Sequence, residues 1–195
     1  MQPTTHLLYL HGFRSSPQSA KARQMAEHVQ RHHPDMRLWC PQLPPSPREA
    51  MALVATGVAD WPRASMAVVG SSLGGFYASW VAQQCGCPSV LLNPAVYPAR
   101  DLERYIGEQT TWHDPAESFY FRPEYIGELR ALDVSDQAPA ARQLAIIAKG
   151  DELLDWREMA ARYAQADLRL LEGGDHALGA FAAYLPDIDR FLGLA

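Results

Sequence analysis

Long apolar runs are the first thing this chain lacks. No stretch approaches the roughly 18–20 residues needed to cross a bilayer, so no membrane span is expected. Basic runs are missing as well. The net charge is −5 and the pI is near 5.8, with scattered arginines and lysines, whereas nucleic-acid and anionic-membrane binders carry a basic patch. The opening residues MQPTTHLLYLHGF have no basic segment followed by a long apolar core, which argues against a secretory signal. Cysteine is scarce: Cys40, Cys85 and Cys87 are the full set. An odd count without paired spacing fits a reducing cytoplasm better than a disulfide scaffold. Cys85-Gly86-Cys87 has neither CxxC spacing nor a second ligand pair, so no metal is assigned to it. Internal repeats and low-complexity segments are also absent.

What is present suits one well-cored domain over residues 1–195, with 48% hydrophobic and 20% charged residues. Short apolar runs alternate with helical patterns. The runs are His6–Leu10, Met36–Cys40, Met66–Gly70, Val90–Asn93, Leu144–Ala148 and Leu168–Leu171. Continuous apolar runs mark strands buried on both faces of a parallel sheet. Between them Ala22, Met25, Ala26 and Val29 recur at helical spacing, as do Ala50, Leu53 and Val54, and Leu73, Phe76, Tyr77 and Trp80. Trp156, Met159, Ala160 and Tyr163 repeat the pattern, and a last helix is expected over Leu178–Leu192, kinked or split at Pro186. The fold class is therefore α/β, an open, mostly parallel sheet of about six strands with helices on both faces. Ligands of such sheets bind beyond the carboxyl ends of the strands.

The alternation fails once, from Tyr97 to about Ala141, where aromatics are many and no strong strand is visible. Two readings stand: a mostly helical lid, or a helical crossover whose aromatics pack onto the sheet.

Residues 67–80 read AVVGSSLGGFYASW. After a strand, Gly70-Ser71-Ser72-Leu73-Gly74 fits Gly-x-Ser-x-Gly with Ser72 at its centre; centring on Ser71 would need glycines at Val69 and Leu73. A nucleophile at a strand-to-helix turn needs strained backbone, and glycines two positions either side let strand and helix approach. The helix start then faces the site with free N–H groups. A glycine-rich turn with a capping serine is the bland alternative. A P-loop is disfavoured, because no Gly-Lys-Ser/Thr ending follows.

Serine needs a base, and the base an orienting acid, in chain order Ser, Asp or Glu, His. After Ser72 the histidines are His113, in the irregular segment, and His176, in LLEGGDHALGAF on a loop after the last strand. His176 is the candidate base. For the acid, Asp151 leaves the preceding strand directly in AIIAKGDELLDW. Asp155 is its main rival and also reads as a helix N-cap; Asp175, beside His176, is a weaker rival, and Glu152 is expected to point away. An oxyanion hole requires the N–H after the nucleophile, Leu73, and one from the loop after the first strand. That loop reads His11-Gly12-Phe13, where Gly12 permits a bend and Phe13 supplies the N–H.

Taken in order, YLHGFRSSPQSAKA, GSSLGGFYA, LLNPAVYP, GDELLD and GGDHAL resemble the blocks of the YqiA-type esterases, small α/β-hydrolases. The resemblance spans nearly the whole chain and is weakest from Tyr97 onward. It implies Ser72, Asp151 and His176 as a triad and Phe13 and Leu73 as oxyanion donors. It also implies a compact fold without the first two antiparallel strands. The expected reaction is hydrolysis of a small or short-acyl carboxylic ester, which needs neither metal nor cofactor. The same residues serve a thioesterase or protein deacylase, and a non-catalytic binding scaffold is the alternative outside enzymes.

Overall fold

A computed structural model of the chain describes residues 3–112, 114 and 116–194. Its main sheet contains six strands: β1 (His6–Leu10), β2 (Arg37–Trp39), β3 (Met66–Ser71), β4 (Ser89–Leu92), β7 (Gln143–Ala148) and β8 (Asp167–Leu171). They run in the spatial order β2-β1-β3-β4-β7-β8, and every pairing is parallel. From β1 the chain crosses to β2 on one side and then to β3 on the other. The crevice where the order reverses lies at the carboxyl ends of β1 and β3, where open α/β sheets bind ligands.

Alternate residues of each strand serve two cores, because successive side chains point to opposite faces. Leu8, Leu10, Val68, Leu91, Ala145 and Ile147 pack under α2 (Pro47–Gly57), α3 (Leu73–Cys85), α5 (Glu124–Ala131) and α6 (Trp156–Arg162). Leu7, Tyr9, Ala67, Val69, Val90 and Ile146 pack under α1 (Ala20–His32) and α7 (Leu185–Leu192). Strands β3 and β4 are buried at every position, which is why they read as unbroken apolar runs rather than alternations. Each large aliphatic side chain so buried is worth about 1.5–3 kcal/mol.

Helix starts follow side-chain caps. Ser19 accepts from Ala22 N–H before α1, Ser46 from Glu49 N–H before α2, and Asp155 from Arg157 N–H before α6. The expected helix over Leu178–Leu192 is divided: a 3₁₀ turn covers Phe181–Tyr184 and α7 begins at Leu185. Pro186 sits in the first turn of α7, where its missing N–H costs nothing, so it starts that helix rather than kinking it.

The segment from Tyr97 onward holds α4 (Pro98–Asp101) and α5, but it also holds two strands. β5 (Gly107–Thr110) pairs antiparallel with β6 (Ser118–Phe121) in a separate sheet. Both sequence readings made this segment helical, and the antiparallel pair is an element that neither contained. GEQT contains no apolar residue, and β6 buries only Phe121 fully. Neither strand carries the pattern of a core strand. Among the described residues, no helix is long and apolar enough to cross a membrane.

Candidate active site

Ser72 occupies the junction of β3 and α3 with φ 57° and ψ −123°. Backbone in this region costs a non-glycine residue about 1–3 kcal/mol and persists only where the surroundings impose it. Here Ser72 N–H donates to Leu92 O at 3.0 Å, and Ser72 O accepts from Gly75 N–H at 2.8 Å and Ala95 N–H at 3.0 Å. The flanking glycines are there for space. A Cβ on Gly70 would lie 2.0 Å from Gly74 O, and one on Gly74 would lie 2.0 Å from Leu10 O. With Ser72 at this tight turn, Ser71 remains the last residue of β3, in register with Leu92.

Ser72 Oγ lies 3.0 Å from His176 Nε2, and His176 Nδ1 lies 2.7 Å from Asp151 Oδ2. The Asp151 side chain is fully buried, and its other oxygen accepts from Leu153 N–H and Leu154 N–H, both at 2.9 Å. With Asp151 an acceptor, His176 carries its proton on Nδ1, leaving the Nε2 lone pair toward the serine hydroxyl. The rivals are elsewhere. Asp155 caps α6, and Asp175 Oδ1 accepts from Gly179 N–H at 3.1 Å. His113 lies outside the described residues.

Glu152 does not point away as expected: its Oε2 accepts from His176 N–H at 3.0 Å. Lys21 holds the same loop from the other side, donating from Nζ to Ala177 O at 2.5 Å. Burial lowers the Lys21 pKa, with the negative charges of Asp175 and Asp151 opposing that shift. Asn93, fully buried with φ 41°, is the residue that sequence reasoning missed. Its Oδ1 accepts from Ala148 N–H at 2.8 Å, while its Nδ2 donates to Asp175 O at 3.0 Å and His176 O at 3.2 Å. The available signal was a polar residue ending the apolar run VLLN.

The His11–Phe13 loop lies directly against Ser72. A Cβ on Gly12 would sit 3.1 Å from Ser72 Cβ and 3.6 Å from its Oγ, so Gly12 makes room for the nucleophile; the left-handed backbone angle of the loop belongs to Arg14, with φ 59°. Buried His11 accepts from Leu43 N–H through Nε2 at 3.1 Å, which puts its proton on Nδ1, 3.0 Å from Gly12 O. The Gly12–Phe13 peptide is planar and trans, so anchoring its carbonyl turns the Phe13 N–H the opposite way. Neither Phe13 N–H nor Leu73 N–H has a partner among the described residues.

The segment carrying β5 and β6 is tied to this loop. Arg14 donates to Thr110 O at 2.5 Å and to Thr110 Oγ1 at 2.8 Å, and Trp112 N–H donates to Arg14 O at 2.8 Å. The Phe13 ring meets Tyr105, Phe119 and Phe121 at centroid distances of 5.6, 6.0 and 5.1 Å, the tilted and edge-on geometry aromatic rings prefer. A cavity of about 430 Å³ opens over Ser72 and His176, walled by Leu102, Tyr105, Trp112, Leu153 and Leu154. Among the described residues, no cluster of three metal-ligating side chains lies at this site.

The architecture is shared with solved α/β-hydrolases. A structure of the metagenome-derived lipolytic enzymes LipS and LipT superposes with a TM-score of 0.76 at 17% identity, covering 99% of this chain and 95% of that one. Mouse alpha/beta hydrolase domain-containing protein 10 gives 0.71 at 16% identity, covering 100% and 92%. Est1E from Butyrivibrio proteoclasticus with ferulic acid bound gives 0.70 at 13% identity, covering 96% and 90%. At these identities the likeness speaks to fold. Residues 6–193 match the model of an uncharacterised protein family, UPF0227. The chain belongs to that family, the YqiA-type esterase family whose blocks its sequence resembles.

Proposed function

We propose that this protein is a serine esterase that hydrolyses small or short-acyl carboxylic esters through an acyl-serine intermediate. The observation that carries the reading is the run of hydrogen bonds from Ser72 Oγ to His176 to Asp151, at 3.0 and 2.7 Å, beneath an apolar cavity. His176 Nε2 takes the hydroxyl proton as Ser72 Oγ attacks the ester carbonyl carbon. Asp151 holds the imidazole in the required tautomer and stabilises the imidazolium. Charge that develops on the carbonyl oxygen is met by the N–H groups of Phe13 and Leu73, the second at the positive end of α3.

Collapse of the tetrahedral intermediate breaks the bond to the alcohol, which leaves with the proton from His176. A water molecule, deprotonated by the same Nε2, then attacks the acyl carbon. Its proton returns to Ser72 as the carboxylic acid departs. His11 serves as a positioning residue, because its bond to Gly12 O orients the Phe13 N–H. The segment at about 97–141 serves as the wall of the acyl pocket, built on the oxyanion loop that Arg14 ties to Thr110.

Hydrolysis of p-nitrophenyl esters from acetate to palmitate, with Ser72→Ala as the blank, tests the reading. Ser72-dependent turnover peaking at short chains supports it. A peak at long chains replaces the short-acyl assignment with a long acyl group along the aromatic wall. Absence of Ser72-dependent turnover at every length refutes the esterase reading.

A further inference from the structure

Away from the carboxyl ends of the strands, three side chains that the proposed hydrolysis does not use converge between α1 and α7. α1 contributes His28 and, at its C-cap, His33, while α7 contributes Asp189. Asp189 Oδ2 lies 2.8 Å from His28 Nε2 and 3.4 Å from His33 Nε2, with all three side chains 14–16% exposed. The three ligating atoms fall within 4.8 Å of one another. His28 is hydrogen-bonded to the carboxylate, whereas the buried His33 Nε2 faces it without a hydrogen bond among the described residues.

We infer that His28, His33 and Asp189 form a binding site for a zinc-class divalent transition-metal ion that fastens α1 to α7. Zinc held by imidazole and carboxylate at about 2.0–2.2 Å in a tetrahedron separates its ligand atoms by roughly 3.3 Å. The His33–Asp189 separation already matches that spacing, and His28 has to withdraw by about half an ångström. Two imidazoles with one carboxylate select zinc and its neighbours over magnesium or calcium, which prefer all-oxygen shells. Binding replaces the His28–Asp189 hydrogen bond, with each imidazole presenting its Nε2 lone pair and carrying its proton on Nδ1.

Helix polarity also favours a cation there. His33 caps the carboxyl end of α1, and Asp189 lies in the second half of α7, so the negative ends of both helix dipoles approach the cluster. A cavity of about 310 Å³ lined by His32, His33 and Asp35 borders the cluster on its His33 side. His33 stands twelve positions along the chain from Lys21, roughly 18 Å at the rise of an α-helix. The site is therefore remote from His176 and does not depend on the esterase reading.

The test is titration of chelator-stripped protein with Zn²⁺ near neutral pH, followed by calorimetry and thermal melting. The expected result is one equivalent bound by the unaltered chain with a raised Tm. Affinity should fall at least on the order of tenfold in both His33→Gln and His28→Gln, with ester hydrolysis unchanged. Substituting Co²⁺ should give the visible bands of a four-coordinate nitrogen and oxygen site without thiolate charge transfer. Absence of a stoichiometric site, affinity in either variant equal to that of the unaltered chain, or a thiolate band from the cysteines would overturn the assignment.

Discussion

Asn93 and His176 are joined by a hydrogen bond from a side chain to a backbone carbonyl, Nδ2 to O at 3.2 Å, while the Oδ1 of the same amide holds Ala148 N–H at the end of β7. One buried amide therefore fixes the loop bearing the histidine relative to the strand that leads to Asp151. Asn93→Asp keeps the shape but removes the donor and sets a carboxyl group against two carbonyl oxygens. The expected outcome is a fall in kcat on the order of 100-fold, from misplacement of His176, with KM changed far less. Steady-state kinetics on one p-nitrophenyl ester, alongside a melting curve, checks this.

Ser72→Ala should abolish turnover and leave the Tm nearly unchanged, since among the described residues the hydroxyl's hydrogen bond is the one to His176 Nε2. Ser72→Gly should also be inactive, with its stability maintained or raised, because glycine accepts φ 57° without strain while adding disorder to the unfolded chain. Thermal melting of the two variants separates strain from chemistry. A large loss of stability in Ser72→Ala with activity retained would remove Ser72 from the mechanism.

The two aspartates at the exit of β7 should separate cleanly. Asp151→Asn is expected to lower kcat by on the order of 10⁴ by reversing the tautomer preference of His176. Asp155→Ala should leave kcat intact and cost about 1 kcal/mol, the worth of an N-cap. Parallel kinetics and denaturant melts provide the check, and a larger kinetic loss at Asp155 would reverse the assignment.

Arg14→Ala removes the two bonds to Thr110 at an exposed position. Stability should change by less than about 1 kcal/mol. A several-fold fall in kcat is expected, because the loop carrying the Phe13 N–H loses its tie to the hairpin. Unchanged kinetics across the ester series would show that the loop holds its position without the hairpin.

Strands β1, β3, β4 and β7 were legible because both their faces are buried, which leaves an apolar run in the chain. The β5–β6 hairpin was not. Phe121 joins the main core and Phe119 packs against it, but Tyr120 between them is exposed and β5 has no apolar side chain, so two four-residue strands leave little pattern to read. Ser72 and His176 stand out because glycines and strand ends surround them. Asn93 and Glu152 do not, since their work is done through backbone groups 83 and 24 positions away in the chain. At Pro186 the sequence left a kink and a split both open, because helical spacing runs continuously through the 3₁₀ turn and the helix that follows it; the span is split.

The central claim is that Ser72 is a nucleophile activated by His176 and Asp151. The most direct measurement is reaction with a fluorophosphonate followed by peptide mass spectrometry. One adduct, located on Ser72, lost in Ser72→Ala and slowed strongly in Asp151→Asn, is the predicted result. A chain that stays unlabelled while folded, or that is labelled equally in Ser72→Ala, would contradict the account.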